Sequence, residues 1–78
     1  MSEVGITFPI WVVYDHPCDA PDVYLARQWR VNANSSVPTA ETLTYVTLNR
    51  LRDEFMRMNL TRLPRSRHDD PVIVETWL

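Results

Sequence analysis

The stretch VPTAETLTYVTLNRLRDEFMRM, Val37 to Met58, decides the fold, because its reading sets how many strands the rest of the chain must supply. Leu43, Leu48, Leu51, Phe55 and Met58 fall within about 140° of arc at about 100° per residue, a single apolar stripe. Arg50, Asp53 and Arg57 lie opposite it, and Asp53 to Arg57 is a favourably oriented i,i+4 pair. Thr39 can cap by accepting a backbone N–H, and Glu41 in the first turn suits the positive end of the helix dipole. The spacing therefore predicts one helix that starts near Thr39 and ends near Asn59.

Upstream, Ile6 to Tyr14 is dense in β-branched and aromatic residues and is stopped by Asp15-His16-Pro17, which predicts a strand. Val23 to Asn32 predicts a second. Between them Asp15–Asp22 forms a loop with two prolines and three aspartates, longer than a tight hairpin requires. The polar run Asn32-Ala33-Asn34-Ser35-Ser36 leads into the helix. Downstream, Leu60 to Pro71 holds two prolines and alternating bases and predicts a loop. Val72 to Leu78 predicts a third strand.

The expected fold class is α+β: a single domain over residues 1–78, two layers in the order β-β-α-β, with a three-stranded sheet and one helix on one face. In that arrangement the helix stripe buries Ile6, Phe8, Ile10, Val12, Leu25, Trp29, Val72 and Val74. Trp11, Val13, Tyr24, Ala26, Ile73 and Trp77 face outward, flanked by Arg30 and Glu75. The orders 2-1-3 and 1-2-3 are both compatible with the pattern. Counting directions places the Asp15–Asp22 and Leu60–Pro71 loops at the same end.

Composition bounds the function. Seventy-eight residues, 45% hydrophobic and 23% charged with net charge −2, fit one small domain. The chain has a single glycine, Gly5, which excludes a P-loop, a dinucleotide-binding glycine fingerprint and a Gly-flanked nucleophile elbow. No cofactor-binding pattern is left. One cysteine, Cys18, cannot form an internal disulfide, and neither a signal-peptide pattern nor a membrane-length apolar run is present, so a cytoplasmic location is expected. Every basic residue apart from the two histidines is an arginine. Met1 to Leu25 has four acids and no base, Ala26 to His68 has eight Arg against three acids, and the last ten residues add Asp69, Asp70 and Glu75.

Chemistry is sparse. His16, Cys18 and His68, with Asp15 or Asp69, could gather at the loop end as metal ligands, but the paired spacing of structural zinc motifs is missing and no metal site is assigned. A Cys18 nucleophile with His68 as base lacks an evident oxyanion hole. Asp69-Asp70 precede Pro71 and suit a solvated turn. No catalytic residue is assigned, and the chain is expected to be non-enzymatic.

Nucleic acid is the rival partner, since arginine matches phosphate geometry, but acids lie close to the arginines at the same end. An aromatic patch rimmed by charge fits a protein partner better, whether a second copy or a larger complex. The interface candidates are Trp11, Val13, Tyr24, Arg30, Ile73 and Trp77 on the sheet, with Arg62, Arg65 and Arg67 on the loop.

The segments Tyr14-Asp15-His16-Pro17…Asp19…Pro21-Asp22, Ala26-Arg27-Gln28-Trp29 and Leu60-Thr61-Arg62-Leu63-Pro64-Arg65-Ser66…Asp69-Asp70-Pro71-Val72-Ile73-Val74-Glu75-Thr76-Trp77-Leu78 resemble those of short uncharacterised proteins encoded by bacteria and their phages. The resemblance spans most of the chain outside the helix and carries no residue role. It implies a setting: a bacterial or mobile-element protein of the kind that acts by binding, and inhibiting or regulating, a larger machine.

Overall fold

The computed structural model describes residues 7–65 and 70–78. The chain runs β1 (Phe8–Asp15), β2 (Tyr24–Val31), β3 (Ser36–Tyr45), α1 (Leu48–Arg57), β4 (Arg62–Pro64) and β5 (Ile73–Trp77). The strands form one five-stranded sheet in the order β3-β2-β1-β5-β4, every neighbouring pair antiparallel. The expected three-stranded sheet is therefore corrected to five strands with one helix among the described residues.

Two of the five strands come from segments read otherwise. Ser36–Tyr45 is a strand, not the helix start. Its alternation explains why: Leu43 and Tyr45 pack against the core, while Thr42 and Thr44 are exposed. The apparent linker before it is a tight reversal. Asn32 Oδ1 accepts from the backbone N–H groups of Asn34 and Ser35, both at 2.8 Å, and the Asn32 N–H donates to the Ser35 carbonyl at 2.9 Å. Thr39, expected as a helix cap, lies at the β2–β3 irregularity, where its hydroxyl donates to the Gln28 carbonyl at 3.0 Å and accepts from the Glu41 N–H at 3.1 Å. The second unexpected strand, β4, is three residues long and pairs Arg62 with Trp77 and Pro64 with Glu75.

The helix begins at Leu48 with Thr47 as its N-cap, an extended residue whose hydroxyl accepts from the Arg50 N–H at 3.4 Å. Its C-terminus falls where the sequence places it. The Leu60 N–H donates to the Phe55 carbonyl and the Asn59 N–H to the Met56 carbonyl, both at 3.0 Å, with Asn59 left-handed at φ 61°. This is a Schellman closure with asparagine in the usual glycine position. Leu60 folds back onto the core as its hydrophobic contact. On the solvent side Arg57 pairs with Glu54 at 3.3 Å, one turn position away from the expected partner Asp53.

The core sits between the helix and one sheet face. Leu51 and Phe55 are buried against Trp11, Val13, Ala26 and Trp77, with the Phe55 ring 5.6 Å from the Trp11 ring and 5.3 Å from the Trp77 ring. Two tryptophan rings thus close on a phenylalanine ring at the separations that aromatic pairs favour. The expected faces are thus exchanged: the helix covers the Trp11, Val13, Ala26 and Trp77 side. β5 keeps Val74 on that side through a bulge, because Val13 pairs with Glu75 while Tyr14 pairs with Ile73.

Candidate functional site

Strand alternation divides the sheet into two chemically different surfaces. On the helix side, the residue between the core aromatics is a carboxylate. Glu75 is 1% exposed. Arg52 meets it with two bonds, Nη2 to Oε1 at 2.7 Å and Nε to Oε2 at 3.1 Å, and Trp77 Nε1 donates to Oε2 at 2.8 Å. Arg62, on β4, adds a charge 3.6 Å from Oε1. Burial alone pushes the Glu75 carboxyl up, but the bonds from Arg52 and Trp77 and the two guanidinium charges outweigh it and hold it below the usual carboxylate range. Arg52 responds in the opposite sense, raised by its bond to Glu75. This closed cluster ties α1 to β5 and β4 and offers a ligand no open position on Glu75.

Among the described residues no helix lies over the other surface. β1 turns Phe8, Ile10, Val12 and Tyr14 toward it, and the register sets them beside Val31, Trp29, Arg27 and Leu25 of β2. Ile73 joins at the level of Tyr14, and Leu63 of β4 lies at the margin. Phe8 is 49% exposed and Leu63 44%. The one charge among these strand residues is Arg27, whose Nη1 donates to the Thr39 carbonyl at 3.0 Å. Trp29 Nε1 is enclosed with no hydrogen-bond partner among the described residues.

At the hairpin end this surface deepens into a cavity of about 240 Å³ lined by Tyr14, Pro17, Asp19, Leu25, Arg27 and Val72. Its wall is built by the loop after β1. The Asp15 N–H donates to the Val72 carbonyl at 2.8 Å, so the Asp15–Asp22 loop and the approach to β5 do share an end of the molecule. A second cleft of about 430 Å³, on the helix side, is polar and lined by Tyr45, Arg50, Asp53, Glu54 and Arg57, charges of both signs.

The interface candidates scatter over these surfaces. Trp11, Val13 and Trp77 are buried under α1, and Tyr24 packs half-buried at the edge of the same core, so the expectation that they face outward is corrected. Arg30 is exposed on the helix-side face at the far end, paired with Pro9 and Val37. Ile73 alone of the apolar candidates lies on the uncovered face. Arg62 belongs to a strand and reaches Glu75, Arg65 is exposed just beyond β4, and Arg67 lies outside the described residues.

His16 Nδ1–H donates to Asp15 Oδ1, and its ring stands edge-on to Tyr24 with centroids 4.9 Å apart. Cys18 is exposed, and His68 and Asp69 fall outside the described residues. Among the described residues no group of three or more His, Cys, Asp or Glu side chains could hold a metal ion. No helix among them is long and apolar enough to cross a membrane.

Sequence reasoning missed the uncovered belt because it assigned those residues to the core. The signal was present in β1, whose Phe-Pro-Ile-Trp-Val-Val-Tyr run is apolar on both faces. No family model, curated protein or solved structure matches the chain.

Proposed function

We propose that the protein is a non-enzymatic interaction module that binds a protein partner through the sheet face opposite α1. One observation carries this reading: a belt of apolar side chains runs along that face from Phe8 to Tyr14 and Ile73, and among the described residues no helix lies over it. Antiparallel sheets with one solvated face ordinarily present polar residues there, and a contiguous apolar patch marks an interaction site. Asp19 and Arg27 at the cavity supply opposite charges to orient what binds. The inhibitory or regulatory form of the activity follows from the resemblance described above.

The arginines do not favour nucleic acid in the same way. Arg52 and Arg62 converge on Glu75, Arg57 pairs with Glu54 on the solvent side and Arg27 is tied to Thr39, so four of the arginines already meet a partner within the chain.

The test compares proteins retained from cell extract by the immobilised full chain and by its Val12→Asp variant. A protein held by the wild type and lost from the variant is the expected result. An identical retained set would remove the sheet face as the binding surface.

A further inference from the structure

The uncovered face contains both a projecting ring and a cavity at opposite ends of one strand. Phe8 stands half-exposed at the start of β1, and the cavity lined by Tyr14, Leu25 and Val72 opens at its end, on the same face. A surface that carries a knob and its hole on one line is self-complementary under two-fold rotation, the symmetry of an isologous dimer.

We propose that a second copy of this chain covers the face, with Phe8 of each copy seated in the Tyr14–Leu25–Val72 cavity of the other. This rests on the reading that the uncovered face is the interaction surface, and it names the partner. A two-fold axis lying between the sheets, perpendicular to β1 and level with Trp11, reverses the strand and satisfies both cavities at once. The same rotation sets Ile10 over Val12 and Val31 over Leu25, apolar on apolar, following the β1–β2 register.

Charge agrees with this arrangement. Arg27 is the face's one strand charge, and a rotation that laid it on its own counterpart would oppose like charges. Because Arg27 is level with Val12 and Trp29 with Ile10, the axis at Trp11 instead sets Arg27 of each copy over Trp29 of the other, a pairing of cation with aromatic ring. The area bounds the affinity. Five strands about 4.8 Å apart and about seven residues long at about 3.3 Å each give roughly 400 to 500 Å² per copy in projection, below the roughly 800 Å² per partner of a standard stable interface, so the dimer is a weak, reversible one. Two sheets stacked this way form an aligned sandwich with a helix on each outer side.

Sedimentation of the full chain at high micromolar concentration is the test, with near-ultraviolet circular dichroism to check the fold. The expected result is a reversible dimer whose dissociation constant rises by about 30-fold or more in Phe8→Ala, since this ring is an anchor used twice, and which is lost in Val12→Asp. Phe8 is half-exposed at a strand start, so its truncation keeps the test valid even where Val12→Asp does not fold. A wild-type monomer, or a dimer that Phe8→Ala leaves unchanged, overturns self-association. A monomer that still retains a different protein through Val12 sinks this inference while leaving the interaction reading intact. A Phe8-dependent dimer supports the inference even where no other protein is retained.

Discussion

Arg52 grips the buried carboxylate of Glu75 with two nitrogens, so α1 is fastened to β5 by a charged clamp set beside an aromatic core. The partners differ in exposure: Glu75 is 1% exposed and Arg52 32%. Desolvation therefore falls mostly on the acid, while the guanidinium keeps part of its hydration. Such a pair adds little over a well-packed apolar pair, but breaking it from one side leaves an uncompensated buried charge.

Arg52→Ala is accordingly expected to destabilise the fold by about 3 kcal/mol, the lower part of the range for a broken buried pair because Trp77 and Arg62 remain near the carboxylate. Arg57→Ala, which removes an exposed i,i+3 contact to Glu54, is expected to cost under about 0.5 kcal/mol. Urea unfolding of the two variants beside the wild type checks the contrast. Equal losses would show that the clamp contributes no more than a surface pair.

The same cluster sets a pH dependence. The Glu75 carboxyl lies lower in the folded chain than in the unfolded one, so the unfolded state takes up the proton first as pH falls. Its contribution is complete above the unfolded carboxyl value of about 4.3 and disappears as pH drops through the lower folded value. Glu75→Gln removes this titration. Its unfolding free energy is expected to vary less between neutral pH and the acid limb than that of the wild type, and parallel curves would contradict the assignment.

The helix boundary makes a third expectation. Thr47→Ala removes the side-chain oxygen that accepts from Arg50 N–H at the N-terminus and is expected to cost about 1 kcal/mol. Thr39→Ala, eight residues earlier, is expected to leave helical circular dichroism unchanged, because Thr39 belongs to β3. A loss of helix signal in Thr39→Ala would restore the longer helix.

Much of the architecture was legible in local patterns. β1, β2 and β5 follow from runs of β-branched and aromatic residues, and Leu48, Leu51 and Phe55 announce the helix stripe. The Arg52–Glu75 pair was not legible in the same way: Arg52 lies about 40° beyond Leu48, at the margin of the stripe, and the alternation that puts Glu75 with Trp77 on β5 does not say that this face meets the helix. What misled was Leu43. It fits the helical spacing of Leu48 and Leu51 as well as the two-residue alternation of Thr42, Thr44 and Tyr45, so a single leucine extended one element through another.

Side-chain spacing says which residues share a face and is silent on which face meets the helix. β1 is apolar on both sides, so the choice between Ile10-Val12 and Trp11-Val13 was balanced locally. Contacts distant in the chain settled it: Phe55 fits between the Trp11 and Trp77 rings, and Arg52 reaches Glu75 only from that side. Local sequence thus specified β1, β2 and β5, the helix stripe and a β1 that is apolar on both sides. Packing across the layers selected the covered surface, because the rings and the buried ion pair are complementary in three dimensions and far apart in one.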